Sequence, residues 1–335
     1  MRVLILAPFA EQSLARLQAA GITAVHENWL DSGDLQDPEL LGTRLHDEGF
    51  DAVVVEADFL FAETFDAAPG LKFAGICRAA TNQVDVGAAT QRGITVVNTP
   101  GRNAAGVAEL TLGLMLAAAR RIAELDRYVR GRNWDSPTAP YRELRGTELG
   151  GKTVGIVGLG AIGRQVAGLC NAFGMNAIGH DPNVRSEKAE QIGVTWVGLD
   201  LLLKSADFVT LHAPPAEDGT FLLDAKRIAS MKRGAILINT ASAELVDEAA
   251  LVDALSTHRL MAAGTDIFPT HPVDPDSPLL DLPNVVLTPH VGGATEDTIR
   301  RHSASMADDL IRFASGNKPV NLVNPNAWEQ ASGRT

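Results

Sequence analysis

Cysteine is scarce in this chain. Its 335 residues include two cysteines, Cys77 and Cys170, and both lie in apolar surroundings, which is typical of proteins kept reduced in the cytoplasm. Long hydrophobic runs are absent, because no apolar run approaches the roughly 20 residues that cross a bilayer. The longest helix-like apolar stretch, residues 107–119, contains Glu109. A strand pattern follows Met1 and Arg2 directly, so we expect no signal peptide and a cytoplasmic location.

Positive charge is also in short supply. The chain has 29 Lys and Arg residues against 41 Asp and Glu residues, which gives a formal net charge of −12 at pH 7. This balance disfavours nucleic acid and anionic membranes as general partners. It is compatible with a local basic pocket, and an anionic cofactor needs only that.

The chain is long enough for more than one core. Its 335 residues suit two domains of about 150 residues each. Through residues 1–100, short apolar runs alternate with segments of helical spacing, which predicts a parallel sheet with helices on both faces. Ala7-Pro8-Phe9 stands where a phosphate-binding glycine turn would follow the first strand, so this domain is not predicted to bind a nucleotide.

A long helix is predicted over residues 104–129, and its apolar face fits either the core or a subunit contact. The polar segment that follows, residues 134–149, is predicted to form an arm. We expect the arm to contribute to a homodimer contact.

A glycine-rich turn lies at the centre of the chain. Residues 153–157 have the pattern of a buried strand, Gly158, Gly160 and Gly163 follow directly, and a helix is predicted to about residue 173. The first glycine permits the turn, the second lets the backbone approach a pyrophosphate, and the third lets the helix pack close to the strand. The helix N-terminus offers N–H groups to the phosphates. The pattern predicts a Rossmann domain, which later segments complete as a doubly wound sheet of about six strands.

One acidic residue indicates which dinucleotide binds. Asp181 ends the second strand of this domain, at the distance from the glycines where a carboxylate binds the hydroxyls of an adenosine ribose. A 2′-phosphate would meet Asp181 as a like charge, so NAD is predicted rather than NADP. Arg185 lies close enough in sequence to leave NADP as the alternative.

Several motifs together resemble those of the D-isomer-specific 2-hydroxyacid dehydrogenases, and in particular the phosphoglycerate dehydrogenase-like branch. The resemblance covers roughly residues 50–325 and is carried by Gly158-Leu159-Gly160-Ala161-Ile162-Gly163-Arg164, Leu211-His212-Ala213-Pro214, Ile238-Asn239-Thr240-Ala241, Leu245-Val246-Asp247-Glu248, Ala263-Gly264-Thr265-Asp266-Ile267-Phe268 and Thr288-Pro289-His290-Val291-Gly292-Gly293.

The resemblance implies two doubly wound parallel-sheet α/β domains with an active-site cleft between them. Residues 1–101 and 291–325 would form a flavodoxin-like substrate domain and residues 102–290 the Rossmann NAD-binding domain. Apart from the resemblance, the sequence of residues 324–335 predicts a loose, unstructured segment, of which residues 326–335 form a C-terminal tail beyond both domains. We expect no C-terminal regulatory domain of the kind that some relatives carry.

The resemblance also implies which residues hold NAD. Asp266 matches the residue that holds the nicotinamide carboxamide, and His212 is expected to contribute mainly its backbone, with Pro214, on the adenosine side. The full implied set is Gly158, Gly160, Ala161, Ile162, Gly163, Asp181, His212, Pro214, Thr240, Asp266 and Gly293. No metal site is predicted.

The family's chemistry uses a histidine, a carboxylate and an arginine. His290 matches the histidine that takes the hydroxyl proton, whereas Ser242 stands at the arginine position and His271 at the glutamate position. Serine lacks the planar fork that holds a carboxylate, and loss of one preorganised donor commonly costs about 3–4 kcal/mol. A second imidazole also disfavours charging the first. His290, His271 and Ser242 are therefore the candidate catalytic residues of an altered site.

The substrate anion needs a different ligand if the arginine is missing. Arg78 and Asn82, in the segment between the fourth and fifth strands, are the candidates, and Arg102 is a third. A surface ion pair between Arg78 and Glu56 or Asp58 is the alternative interpretation of Arg78.

Three functions fit this altered set of residues. The first is an NAD-dependent oxidoreductase with another anionic substrate, for example one that carries phosphate or phosphonate in place of carboxylate. The second is an NAD(H)-binding pseudoenzyme that serves as a sensor or partner-binding module. The third is a slow but conventional dehydrogenase. The intact His290 and Asp266 favour the first function, because a nucleotide sensor needs neither.

Overall fold

The computed structural model describes residues 1–332 and divides into two compact units. One unit is Met1–Arg102 together with the chain from Thr295 onward, and the other is Asn103–Ala294. The family resemblance implies divisions after residues 101 and 290.

The first unit contains a parallel sheet built from short apolar strands. They are β1 (Arg2–Ile5), β2 (Thr23–His26), β3 (Ala52–Val55), β4 (Phe73–Ile76) and β5 (Thr95–Asn98). β3 and β4 are buried along their whole length, as expected when both faces of a parallel sheet are covered. The strand order β2-β1-β3-β4-β5 is the flavodoxin-like order and confirms the predicted class of this domain.

Short helices connect these strands, and three of them begin at a side-chain cap. They are α1 (Glu11–Ala19), α2 (Trp29–Ser32), α3 (Pro38–Asp47), α4 (Ala62–Ala67) and α5 (Val86–Gln91). The Asp37 carboxylate accepts hydrogen bonds from the N–H groups of Glu39 and Leu40, and Pro38 occupies the first helical position. Asp85 caps α5 in the same way, so local sequence determines where these helices begin.

The second unit contains a longer sheet. Its strands are β6 (Thr153–Val157), β7 (Asn176–His180), β8 (Thr195–Trp196), β9 (Phe208–Leu211), β10 (Ile236–Asn239), β11 (Ala262–Thr265) and β12 (Val285–Leu287). All pairings are parallel, in the order β12-β11-β10-β9-β6-β7-β8, which confirms the predicted doubly wound Rossmann sheet. The sheet has seven strands rather than the predicted six or so. The additional strand is β8, an edge strand of two residues whose apolar pattern is too short to be recognised.

The helices of the second unit bury two apolar clusters. They are α6 (Ala104–Ala119), α7 (Ile122–Arg130), α8 (Ala139–Glu143), α9 (Ala161–Ala172), α10 (Ser186–Glu190), α11 (Leu199–Ser205), α12 (Ala225–Ser230) and α13 (Glu248–Ser256), with 3₁₀ turns at Ala243–Leu245 and Pro278–Asp281. The predicted single helix over residues 104–129 is wrong. The chain turns at Arg121, which has a φ of 55°. The Arg121 guanidinium donates hydrogen bonds to the Glu124 carboxylate and to the carbonyl of Glu143.

The chain returns to the first unit through α14 (Glu296–Ala314) and ends in α15 (Pro325–Ser332). Met306 and Leu310 of α14 are fully buried in a core of the first unit. A Cβ on Gly75 of β4 would lie 2.5 Å from the Met306 sulfur, so glycine allows this close approach. The prediction of an unstructured tail is wrong as far as residue 332, because Trp328 packs on Phe313 with ring centroids 5.9 Å apart. Residues 333–335 of that prediction lie outside the described chain.

Within residues 1–332, no helix combines the length and the apolar character needed to cross a bilayer.

Candidate active site

One edge of the seven-stranded sheet gathers most of the predicted site residues. Because all the strands are parallel, the segments that follow them leave the sheet at the same edge, where ligands bind in open α/β sheets. The residues that follow the strands there are Gly158 after β6, Asp181 after β7, His212 after β9, Thr240 and Ser242 after β10, Asp266 and His271 after β11, and His290 after β12.

The glycine turn after β6 has the geometry that a dinucleotide requires. Gly158 has a φ of +91°, and a Cβ there would lie 2.5 Å from the carbonyl oxygen of His212. A Cβ on Gly163 would lie 2.0 Å from the Gly158 oxygen, whereas a Cβ on Gly160 would meet nothing within 4 Å. The turn is therefore closely packed on its inner side and open at Gly160. Ala161 and Ile162 begin α9 and direct amides toward that space, so these residues fit a pyrophosphate.

Asp181 lies beside this turn, directly after β7. One carboxylate oxygen accepts a hydrogen bond of 2.8 Å from the N–H of Leu159, and the other accepts one of 2.8 Å from the N–H of Asn183. An ionised carboxylate has about four acceptor positions. Asp181 therefore holds the glycine turn and retains acceptor capacity for two ribose hydroxyls.

His212 faces its own strand. Its Nε2 lies 2.9 Å from the hydroxyl of Thr210, while its Nδ1 is buried and has no hydrogen-bond partner among residues 1–332. Burial lowers the pKa of His212 to about 3, so the ring is neutral. This geometry agrees with a backbone role for His212, whose carbonyl packs against Gly158, and Pro214 lies exposed beyond it.

Asp266 organises the turn that carries His290. The carboxylate is 2% exposed and accepts hydrogen bonds from the Thr288 hydroxyl at 2.6 Å, the Val291 N–H at 2.9 Å and the Gly292 N–H at 2.8 Å. These donors lie on both sides of His290. The family resemblance implies that Asp266 holds the nicotinamide, but the sequence does not reveal this clamp, because no local pattern links position 266 to positions 288–292.

His290 and His271 form a pair. Nδ1 of His290 lies 3.0 Å from Nε2 of His271, and the ring centroids are 4.8 Å apart. Both side chains are exposed. His290 has a φ of 55°, and its N–H donates to the Thr288 carbonyl at 3.0 Å. The imidazole at the glutamate position therefore contacts the predicted proton-transfer residue directly.

Ser242 is held by local contacts, whereas Thr240 contacts a residue that is distant in sequence. The Ser242 hydroxyl accepts a 3.3 Å hydrogen bond from the N–H of Glu244, and its carbonyl accepts one of 2.7 Å from the Asn239 side chain. The Thr240 hydroxyl lies 3.0 Å from that of Thr111. Gly293 lies in the second unit as well, where a Cβ would be 3.2 Å from the Asn103 amide.

Two of the predicted substrate ligands are exposed in the first unit. The Arg78 and Asn82 side chains face solvent, while the Arg78 carbonyl accepts a 2.9 Å hydrogen bond from the N–H of Thr99. The alternative ion pair of Arg78 with Glu56 or Asp58 does not form, because Glu56 pairs with Arg102 at 2.6 Å and Asp58 accepts from the Gln36 N–H at 2.8 Å.

Arg102 is the predicted ligand that the structure contradicts. Its side chain is 12% exposed and paired with Glu56, and its Nη1 lies 2.9 Å from Nδ1 of His302. The other ring nitrogen of His302 lies 2.6 Å from the Pro8 carbonyl. Burial is the main cause that lowers the pKa of His302. The guanidinium of Arg102 is therefore committed to a buried network and is not available to a substrate anion.

Known proteins with similar sequences belong to one enzyme family. Residues 112–292 match the family model described as D-isomer specific 2-hydroxyacid dehydrogenase, NAD binding domain, which confirms the predicted NAD-binding domain. The chain is 37% identical over 327 residues to D-3-phosphoglycerate dehydrogenase of Archaeoglobus fulgidus, covering 97% of this chain and 59% of that protein. The chain thus spans less than two thirds of that relative's length.

A second relative is covered more evenly. The chain is 41% identical over 267 residues to glyoxylate reductase of Korarchaeum cryptofilum, covering 80% of each protein. Among solved structures, the TT0316 protein of Thermus thermophilus is 37% identical with a TM-score of 0.83, covering 96% of this chain and 100% of that one.

Proposed function

This chain belongs to the D-isomer-specific 2-hydroxyacid dehydrogenase family, and on that premise we propose that it is an NAD-dependent oxidoreductase of the CH–OH group of a small anionic hydroxy acid. The observation that carries the proposal is the common edge of the second sheet. The glycine turn, Asp181 and the His290 turn all follow strands of one parallel sheet, so one bound molecule can reach them.

The residues that would hold NAD follow from the geometry of the turn. The amides at Ala161 and Ile162, next to the open position at Gly160, would bind the pyrophosphate. Asp181 would accept the ribose hydroxyls and repel a 2′-phosphate. NAD, when bound, supplies the site with a hydride donor or acceptor.

His290 is proposed as the general acid and base. Its backbone is held by Thr288 and by the Asp266 clamp. The imidazole is therefore attached to a fixed backbone position, which helps the positioning that proton transfer requires. In oxidation its Nε2 would take the hydroxyl proton, and in reduction it would return a proton to the carbonyl oxygen. His271 contacts the other nitrogen of His290 and would select the tautomer of the ring.

Substrate anchoring is proposed to differ from that of relatives. Ser242 carries a hydroxyl where relatives carry a guanidinium. It can therefore donate one hydrogen bond to the substrate, but it has no positive charge to attract an anion. Arg78, with Asn82 nearby in sequence and both exposed, is the proposed ligand of the substrate anion. A phosphate or phosphonate group suits this arrangement, because the exposed Arg78 guanidinium can bind it although position 242 carries no arginine.

The exposed apolar side chains of residues 122–141 support the proposal of a homodimer. Ile122 is 52% exposed, Val129 54%, Trp134 60% and Tyr141 78%. Apolar surface collected on one segment favours association. Light scattering of the purified chain would give the mass of the particle in solution.

A substrate panel tests the activity. NADH consumption should be measured with 2-oxo acids, phosphorylated 2-oxo acids and 2-oxophosphonates, and NAD reduction with the corresponding hydroxy compounds. We expect turnover with at least one class. The variant His290→Asn should lose turnover by about 10²-fold or more while its NADH affinity stays unchanged. If the native protein binds NADH but turns over no compound, the activity is refuted and the alternative of an NAD(H)-binding sensor gains support.

Restoring the residues found in relatives tests the anchoring. The double variant Ser242→Arg, His271→Glu should reduce ordinary 2-oxo acids faster than the native chain, because the arginine would bind the carboxylate in two places. Each single variant adds one charge without its counter-charge, so each should be slower than the double variant. An unchanged or lower rate in the double variant would contradict the assignment of these two positions.

A further inference from the structure

Two imidazoles share one proton in this chain. A 3.0 Å separation between Nδ1 of His290 and Nε2 of His271 is a hydrogen-bond distance. Two lone pairs or two N–H groups at that distance would repel each other, so one nitrogen must carry a proton and the other must accept it. Either ring can be the donor. The pair therefore has two neutral arrangements, one with the proton on Nδ1 of both rings and one with the proton on Nε2 of both rings.

We propose that His271 is the second member of a proton relay, which carries the hydroxyl proton of the substrate from His290 to solvent during oxidation and brings a proton back during reduction. This inference rests on the proposed function, because it takes His290 as the group that faces the substrate hydroxyl.

In oxidation, three protons of the relay each move by one step. At the start, His290 donates Nδ1–H to Nε2 of His271 and carries a lone pair on its own Nε2. NAD⁺, when bound, would accept the electron pair of the substrate C–H bond as hydride, while the O–H bond would break and its electrons would form the C=O bond. The hydroxyl proton bonds to Nε2 of His290, the Nδ1 proton moves to Nε2 of His271, and Nδ1 of His271 releases its proton to water. Both rings are neutral before and after.

An imidazole partner can do this where a carboxylate cannot. A carboxylate beside a catalytic histidine stays ionised and holds the imidazolium in place. A second neutral imidazole can accept a proton on Nε2 and release another from Nδ1, so it can pass a proton on without a change in its own charge. His271 is exposed, so its outer nitrogen can exchange protons with water. The Asp266 clamp holds the residues on both sides of His290, which fixes the backbone that carries the imidazole.

Nitrogen NMR of the complete chain with NADH tests the pair without any substrate. Labelled histidine should give one ¹H resonance that couples to nitrogens of two different rings. That resonance should disappear in both His271→Gln and His290→Asn and should persist in His46→Gln, which removes another exposed histidine. Two rings that titrate independently, with no shared resonance, would overturn the relay.

Kinetics in mixtures of light and heavy water test the transfer. With the best panel substrate, the native chain should show at least two protons moving in the rate-limiting step, and His271→Gln should show one. His271→Gln should also lower kcat on the order of 10²-fold with substrate KM and NADH affinity unchanged. Added imidazole should restore kcat in His271→Ala and should not affect His46→Ala.

The outcomes separate the two proposals. If His271→Gln keeps the native kcat and isotope dependence, the relay is refuted while the oxidoreductase function stands. If no compound turns over although the shared resonance is present, the proposed function is refuted, and a relay for substrate protons falls with it.

Discussion

Replacing Asp266 with asparagine would test whether this carboxylate holds the His290 turn. The native side chain is 2% exposed and accepts three hydrogen bonds from the turn. In Asp266→Asn, the least disruptive orientation keeps the oxygen toward Thr288 and Val291. The new NH₂ group then faces the N–H of Gly292, across a contact that is 2.8 Å in the native chain.

The magnitude follows from that contact. A hydrogen bond to a charged group contributes about 1.5–3 kcal/mol, and a buried N–H left without an acceptor costs about 1–3 kcal/mol. These terms overlap, so we expect the turn to lose about 2–4 kcal/mol of stability against local opening. Since each 1.4 kcal/mol is a factor of ten, amide exchange at residues 291 and 292 should accelerate about 30-fold to 1,000-fold.

Hydrogen exchange of the segment around His290 is the assay, combined with kcat and NADH affinity. Asp274→Asn is a matched control, because Asp274 lies in an exposed loop of the same unit and accepts one local backbone bond. Its exchange at residues 291 and 292 should equal that of the native chain. If Asp266 serves only as a ligand of the nicotinamide, Asp266→Asn would weaken NADH binding and leave exchange unchanged. That result would refute the clamp.

Three further predictions concern the nucleotide turn and the first unit. Gly160→Ala should fold normally, because its added Cβ meets nothing within 4 Å, but it should raise the Kd for NADH on the order of tenfold. Gly163→Ala should lower the free energy of unfolding by about 1–3 kcal/mol, because its added Cβ would lie 2.0 Å from an oxygen. Thermal unfolding and NADH fluorescence distinguish the two variants, and equal effects would contradict the geometry. Asp181→Asn should lower the preference for NADH over NADPH on the order of tenfold, measured as a ratio of Kd values, and an unchanged ratio would exclude charge repulsion as its cause. The folded-state pKa of His302 is lowered, so the folded protein binds fewer protons than the unfolded chain and loses stability as pH falls below about 6.5; the melting temperature of His302→Gln should therefore fall less between pH 7 and pH 5 than that of the native chain, and parallel curves would refute this.

Local chemistry explains which parts of the fold were predictable. The strands and helices of the first 100 residues alternate as predicted, for example β3 (Ala52–Val55) and α4 (Ala62–Ala67), because an apolar run and helical spacing are properties of neighbouring residues. The break between α6 and α7 escaped prediction because neither Arg120 nor Arg121 is a helix breaker. Arg121 adopts its left-handed conformation while its side chain reaches Glu143, a contact that sequence spacing does not reveal.

The candidate site divides in the same way. The sequence by itself determined the glycine turn and Asp181, since a strand, a tight turn and a helix are formed by consecutive residues and only glycine tolerates the close contacts at positions 158 and 163. It also identified His290 and the exchanged residues Ser242 and His271, through motifs.

Tertiary structure decided the pairings between distant parts of the chain. Arg102 was a candidate substrate ligand by charge, but folding brings it to Glu56 and to His302, and burial then requires that its charge be paired. Likewise, Asp266 meets the turn at residues 288–292 only because β11 and β12 are adjacent strands. The sequence specifies the identity of each side chain, but the partners of that side chain depend on which strands and helices become neighbours.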